Sequence, residues 1–428
     1  MSKRSFPWGK TFLLGFGFLG ISIIWPIFNQ YIPIFLQSGN PDFAAQLAAE
    51  GRNLPDAKGI GFALSPVLAM FIMTWDNLIN IFVQPWVGER SDRTWTKFGR
   101  RKPWILLGLP IAALAFIFIP MAQTLIAVMV FILITNFGMA LFRSPTISWL
   151  GDLFTADERS KANGVINLMG GVGGLLAYFA GGMLFNSLGR NAPFIAGSIT
   201  MVLALVVALI FVKEPRQIVK EEKPVNAGVL KNLKTVFNNP DKSGMYVLLG
   251  ILFWFMAFNA LETGLSSFAV FVLGIPAGTA SMMASAVTVS FIAFSVPAGL
   301  IAQKIGRRKT ILIGLTGLTL LFLAGFFLVQ EMISFVVTLV IVGFFWALVN
   351  VNSLPLVYDY GDEKRIGAYT GLYYFSSQTA AVLGPTLGGL LVQVMGNQYR
   401  WLFIFATVFM AVAWLMMRRV KEKAPVVE

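Results

Sequence analysis

What most constrains this chain is a series of long apolar runs, each bounded by short charged segments. Twelve can be marked, at roughly 11–37, 60–87, 103–122, 124–149, 163–188, 193–212, 244–273, 278–302, 309–329, 332–357, 367–395 and 399–417. A helix needs about 20 apolar residues to cross a hydrocarbon layer ~30 Å thick. Inside that layer every backbone N–H and C=O must be bonded within the protein, which selects helices for runs of this kind. Several runs exceed the minimum, which predicts tilted helices or ends that project into water. With 57% hydrophobic and 12% charged residues, against about 25% charged in soluble domains, a water-soluble enzyme is excluded. The expected fold is an all-α membrane protein.

The 428 residues contain no Cys and no His. Disulfides and thiolate metal sites are thereby ruled out, and the commonest metal ligand and acid/base residue is missing. No metal site or organic cofactor is expected, and proton chemistry must use carboxylates, Tyr or Lys. The net charge of +13 reads as basic loops against an anionic leaflet, with lipid as the partner and no nucleic acid.

Lys3, Arg4 and Lys10 precede an apolar stretch too long for a signal-peptide core, so the first run is read as an uncleaved helix. Threading from there places both termini in the cytoplasm of a cell with this protein in its inner (plasma) membrane. Of 33 Lys and Arg, only Arg52, Lys58, Arg190 and Arg400 then fall outside, as the positive-inside rule requires. The basic connection 213–243 divides the runs six and six, giving an N-terminal bundle over 1–212, a linker, and a C-terminal bundle over 244–428.

The two halves repeat. Gly99-Arg100-Arg101-Lys102 returns as Gly306-Arg307-Arg308-Lys309, Asp152 as Asp359, Gly164 as Gly371, Gly181-Gly182 as Gly388-Gly389 and Gly189 as Gly396, always 207 positions later. A constant offset from the third run to the eleventh marks duplicated six-helix bundles related by pseudo-symmetry.

Polar side chains are costly in hydrocarbon, so their placement tells which helices avoid lipid. Runs three, six, nine and twelve carry no charged or amide residue within the membrane. Run one has Asn29 and Gln30; run two Asp76, Asn77, Asn80 and Gln84; run four Asn136 and Arg143; run seven Asn259 and Glu262; run ten Asn350 and Asn352; run eleven Tyr373, Tyr374 and Gln378. Residues three, four or seven apart share a helix face, so Asp76, Asn80 and Gln84 form one stripe, Asn259 and Glu262 another, and Trp346 and Asn350 a third. Interhelical hydrogen bonding is the plain alternative for single amides such as Asn77. Asp76 and Glu262, far from either surface, point to function. Trp25, Trp75, Trp254 and Trp346 lie within the same helices; packing accounts for most such rings, yet aromatic faces beside amides and acids suit a sugar.

The connection Gly88–Pro103 reads GERSDRTWTKFGRRKP. It resembles the loop signature of the major facilitator superfamily, and the weaker copy at Gly299–Lys309 has Gln303 at the acidic position. Trp75-Asp76-Asn77, the insertion Thr94–Phe98, Phe142-Arg143-Ser144-Pro145, Gly151-Asp152-Leu153 and Glu158–Gly164 resemble the sucrose-transporter-like branch and its relatives, the glycoside–pentoside–hexuronide symporters. The resemblance implies symport of a disaccharide or related glycoside with a proton or sodium ion, by a carrier that functions as a monomer. Asp76 and Asn80 match a helix-two pair that is Asp and Asp in the sodium-coupled relatives, which favours protons here. Asn136 stands where plant sucrose carriers have an acid, so coupling through that position is not expected.

The coupling residues expected on this basis are Asp76, Glu262, Asn80 and Arg143, and the substrate residues Asn29, Gln30, Asn77, Asn136, Trp254, Asn259, Trp346, Asn350, Tyr373 and Gln378. Asp92, Arg93, Arg100, Asp152, Arg159, Asp359 and Arg365 are read as gate and topology charges rather than ligands. The outer segment 38–59 is either a lid or a spacer. An uncoupled uniporter, an exporter of drugs or amphiphiles, and a membrane enzyme or receptor are the competing functions.

Overall fold

The computed structural model describes residues 6–215, 229–360 and 366–421. They form helices α1 (Trp8–Gln37), α2 (Pro41–Ala49), α3 (Pro66–Ile72), α4 (Trp75–Arg93), α5 (Lys102–Phe118), α6 (Leu125–Leu153), α7 (Ala156–Leu188), α8 (Ala192–Phe211), α9 (Val229–Asn238), α10 (Ser243–Phe271), α11 (Ala277–Ile305), α12 (Arg307–Leu328), α13 (Met332–Asp359), α14 (Ile366–Val394) and α15 (Trp401–Arg418), with a 3₁₀ turn at Ile119–Met121 after α5. Eleven segments, α3 and α4 counted together, are long and apolar enough to cross a membrane. The 29-residue α14 completes the expected twelve; its Tyr, Ser, Thr, Gln and Gly residues dilute its hydropathy. The fold is the all-α membrane architecture of two related six-helix bundles.

Helix ends depart from the sequence boundaries in one systematic way. Several helices run on past the apolar stretch: α4 to Arg93, α6 to Leu153, and α7 begins at Ala156. Asp92 and Asp152 therefore sit in last helical turns, and Glu158 in a first turn where it accepts from the Thr155 N–H, as in a capping box. Hydropathy marks where lipid ends, not where backbone hydrogen bonding ends.

The second run is not one helix. Pro66 opens α3 after Ser65, and the helix stops at Met73–Thr74, where the Thr74 N–H and hydroxyl both donate to Phe71 O, at 2.9 and 2.7 Å. Bonding three residues back tightens the turn and restarts the helix as α4. The first free N–H groups of α4 consequently lie beside Asp76, whose carboxylate accepts from the Asn77 amide at 2.9 Å and from nearby backbone N–H groups.

The halves meet through α7 with α11, α1 with α10, and α3 with α14. Two of these crossings rely on the repeated glycines. A Cβ on Gly182 would lie 2.3 Å from Gly278 O, and one on Gly389 would lie 2.9 Å from Pro66 O. The same repeat position thus lets α7 approach α11 and α14 approach α3.

One face, called here the lid face, is laced shut. Gln37 Nε2 donates to Ser267 Oγ at 2.9 Å while the Tyr399 hydroxyl donates to Gln37 Oε1 at 2.5 Å, all three side chains buried. The segment expected to be lid or spacer contains α2, which Asn40 caps. The Phe43 ring stacks on Phe271 at 4.3 Å, Asn397 donates to Asp42 at 2.6 Å, Gln46 to Gly396 O at 2.7 Å, and Arg52 to Val272 O and Gln330 O. Lys58 reaches the other way, to Phe185 O and Asn186 O. The segment is moored to both halves rather than hanging free.

Candidate functional site: a central polar cleft with an aromatic chamber

Inside the C-terminal half, against α7, lies a cavity of about 250 Å³ walled by α10, α11 and α13. Its lining is mostly Phe, Leu, Val and Ala, and Trp346 lies flat on Phe258 with ring centroids 3.8 Å apart. Tyr178, Glu262, Thr288 and Thr338 are its polar members. Among the described residues Glu262 has no hydrogen-bond or ion-pair partner. Asp76 and Tyr178 are near enough for charge to act between each of them and Glu262.

The N-terminal side of the cleft is amide-rich. Gln30 is buried against the Tyr178 hydroxyl without a well-formed bond from either of its side-chain atoms. Both side-chain atoms of Asn136, Thr135 Oγ1, Asn80 Oδ1 and Trp25 Nε1 are likewise buried and unpaired, as is Gln378 Oε1 on α14. An unmade bond costs each such group about 1–3 kcal/mol, and folded proteins leave few of them. They sit on α1, α4, α6 and α14. Arg143 is half-buried, 5.7 Å from the Trp25 ring and within Coulombic reach of Asp76; among the described residues it is in no ion pair.

Of the expected coupling and substrate residues, Glu262 and Trp346 line the cavity. Asn77 is engaged with Asp76, and Tyr373 is buried with its hydroxyl 3.1 Å from Ser353 Oγ. Asn29, Asn259 and Asn350 are half-buried, and among the described residues none of their side chains is hydrogen-bonded. Trp254 is placed differently. It is wholly buried, its ring next to Gly250 and outside the lining of the cavity. Tyr178, Thr288 and Thr338 were not anticipated, because hydroxyls raise no alarm in a scan for charges and amides. A lone Tyr among the Gly and Ala of run five was the available signal.

The residues expected as gate and topology charges occupy the face opposite the lid. Arg101 donates to Asp92 at 2.5 Å and to Asp152 at 2.8 Å, and Arg100 pairs with Asp152. Burial works against the Arg101 charge, but Asp152 and Asp92 outweigh it and hold its pKa above the ordinary value. Arg93 pairs at 2.5 Å with exposed Glu89, Arg159 donates to Gly151 O and Phe154 O, and Arg307 pairs with Asp359 in the second half. Arg365 lies outside the described residues. Sequence reading passed over Glu214, whose carboxylate accepts from the backbone N–H of Arg100, Arg101 and Lys102 at 2.5, 3.0 and 2.9 Å and from the Trp149 indole at 2.9 Å. It caps α5 from the far end of α8; the only local sign was an acid just past run six.

Eleven segments long and apolar enough to cross a membrane, with α14 beside them, form two related bundles, the architecture of a membrane carrier of the major facilitator type. A family profile described as MFS/sugar transport protein matches residues 13–421, and the chain belongs to that family. It is similar to multidrug resistance protein 2 of Bacillus subtilis (strain 168), 24% identical over 417 residues, 95% of this chain and 92% of that one. Sucrose transport protein SUC3 of Arabidopsis thaliana is 28% identical over 140 residues, 28% of this chain and 24% of that protein. Among solved structures, a mutant of the nucleoside transporter NupG superposes with a TM-score of 0.72 at 13% identity, over 96% of this chain and all of that one. A bacterial homolog of the human lysosomal transporter Spinster gives 0.71 at 15% identity, over 97% and 98%. At such identities these two likenesses concern the fold.

Proposed function

We propose that the protein is a proton-coupled symporter of a disaccharide or related glycoside, working by alternating access as a monomer in an inner (plasma) membrane, with both termini cytoplasmic and the lid face outside. The observation that carries this reading is an unpartnered acid, Glu262, in the wall of an apolar chamber, together with a set of unbonded amides on α1, α4, α6 and α14. Sugar hydroxyls would bond Gln30, Asn80, Asn136, Asn259, Asn350 and Gln378. The chamber between Phe258, Trp346 and Phe291 would take the less polar face or aglycone. An acid without a cation beside it draws its countercharge from a proton or bound ion, and Asp76 or Glu262 serves in this way. Arg143 neutralises the emptied acid so that the unloaded carrier returns. No cofactor beyond the coupling ion is required. One proton entering across about 100 mV supplies about 2.3 kcal/mol, enough for roughly 50-fold accumulation.

A second reading, export of amphiphiles, has its own support in the apolar lining of the chamber and in the whole-chain similarity to a multidrug resistance protein. Proteoliposomes separate the two. Labelled sucrose, maltose and aryl glucosides are offered with an imposed inward proton or sodium gradient, beside lipophilic cations under the same gradients. Proton-driven accumulation of a sugar supports symport, gradient-independent equilibration supports a uniporter, and transport of cations alone overturns the sugar reading.

A further inference from the structure

A second cavity, of about 300 Å³, opens on the lid face of the N-terminal half, between Lys58–Ile60, the end of α5 with its 3₁₀ turn (Pro120–Gln123), and the turn that carries Arg190 and Asn191 into α8. It is separate from the central cleft, and its chemistry is cationic. Arg190 is only 6% exposed. Its guanidinium lies 4.0 Å over the Phe35 ring and gives one bond, Nη1 to Ile60 O at 2.8 Å. Nε and Nη2 are buried and, among the described residues, have no partner. Among the described residues no carboxylate lies within ion-pair distance of Arg190 or Lys58; Asp56 accepts only from the Lys58 backbone N–H, at 2.8 Å. The other arginines of this face are better provided for. Arg400 spends its Nη1 on Phe326 O and Val329 O, and Arg52 has Glu50 at 3.3 Å besides two carbonyls.

A desolvated cation with two unmade bonds is an expensive thing to keep unless something supplies the negative charge. Burial alone lowers Arg190 to a pKa of about 10, the mark of a cation without a counter-ion. The unused Nε and Nη2 form the edge of the guanidinium that matches two oxygens of one oxyanion. Lys58 Nζ, with two protons given to Phe185 O and Asn186 O, has a third to offer. The positive end of the 20-residue α8 begins at Asn191, beside the same cavity.

We propose that Arg190, Lys58 and the start of α8 form a binding site for a phosphate-class oxyanion, carried either by free phosphate or by a lipid headgroup. The guanidinium holds two oxygens, Lys58 and the helix end a third, and three oxygen contacts with a cavity of this size suit phosphate better than a carboxylate. Gly59 packs over the guanidinium so tightly that a Cβ there would fall 2.2 Å from Nη1, and because Nε and Nη2 are covered the anion is seated when the irregular chain around Gly59 moves aside. Because Lys58 and Gly59 belong to the lid segment, the anion braces the lid against the N-terminal half. This inference is independent of what the central cleft transports.

The test uses full-length protein in a maltoside detergent free of phospholipid, titrated with sodium phosphate against sodium chloride at matched ionic strength, and separately with a short-chain phosphatidylglycerol. Phosphate raises Tm saturably, by about 1–3 °C at tenfold excess over Kd. Without phosphate, Arg190→Gln is at least as stable as the parent, since an uncompensated buried charge is gone; with phosphate it no longer responds. Lys58→Gln weakens the response and Arg52→Gln leaves it intact. A response to the lipid at lower concentration than to phosphate assigns the headgroup, and the reverse assigns the free ion. Should Arg190→Gln fail to fold, Gly59→Ala, which crowds the guanidinium, must abolish the response in its place. No saturable shift beyond chloride, or a shift that survives in Arg190→Gln or Gly59→Ala, overturns the site.

Discussion

The Tyr399 hydroxyl donates a 2.5 Å hydrogen bond to the side chain of Gln37, joining the end of the first helix to the start of the last across 362 positions of sequence. With Gln37 Nε2 committed to Ser267 and Pro33 O, this buried clasp fixes α1 of one half against α10 and the α15 entry of the other. On the proposed alternating-access mechanism, opening the lid face requires its loss.

Tyr399→Phe therefore shifts the protein towards the state open at the lid face. A buried hydrogen bond worth about 1 kcal/mol net corresponds to a change of roughly fivefold in that population. The chain has no native Cys, so Ser266→Cys, at a position 1% exposed, reports opening by its rate of thiol labelling. The rate rises about fivefold with Tyr399→Phe; an unchanged rate would mean that the clasp is not part of the gate.

The related glycines should behave as a pair. Gly182→Ala and Gly389→Ala each force apart a helix crossing that leaves less than 3.0 Å for a Cβ, at a cost of about 1–3 kcal/mol. Thermal unfolding and thiol labelling at the same reporter check this: both variants lose stability and open the lid face. Gly371→Ala, with nothing within 4 Å of its Cβ, does neither.

On the proposed mechanism, Asp76→Asn and Glu262→Gln separate coupling from binding. At least one abolishes uphill uptake in proteoliposomes while preserving counterflow exchange. Concentrative, proton-driven uptake in both variants would sink the assignment of the coupling acids.

The aromatic chamber sets which glycosides fit. Val342→Phe fills part of a 250 Å³ space and lowers counterflow of aryl glucosides by about tenfold, the equivalent of about 1.4 kcal/mol, with less effect on a small sugar. Equal loss for both would show that the chamber does not receive the aglycone.

At the opposite face, Glu214→Ala strips the acceptor from three backbone N–H groups and the Trp149 indole. A lost cap of this type costs about 1–2 kcal/mol, read as a lower Tm. Glu89→Gln, which breaks an ion pair whose side chains are 78% and 62% exposed, changes Tm little, because surface pairs contribute about 0–1 kcal/mol. Gly99→Ala resembles Glu214→Ala, since its φ of +116° and the 2.3 Å approach of Glu214 to a Cβ forbid a side chain there.

The residues show where sequence reading reaches its limit. Asp76 and Glu262 stood out because a carboxylate in the middle of an apolar run is anomalous by itself. Glu214 did not, because an acid at a helix end is ordinary, and its role depends on α5 arriving there. Trp254 and Trp346 occupy similar runs with similar neighbours, yet one is packed beside Gly250 and the other forms a cavity wall. Helix rotation, which a few local residues do not fix, separates them. The break at Thr74 was hidden for a related reason: a single Thr between apolar residues is compatible with an unbroken helix until its hydroxyl and N–H are seen to turn back to Phe71.

The twelve apolar runs, the 207-residue repeat and the choice of polar helices were set by sequence alone, because partition into lipid is nearly additive over each segment and duplication leaves its register in the residues themselves. Tertiary structure decided which side chains meet: the lid moored to both halves, the chamber beside Glu262, and the unpaired guanidinium of Arg190. Those depend on the rotation and crossing of helices hundreds of residues apart, and contacts at that separation follow from packing the whole bundle rather than from any one stretch of chain.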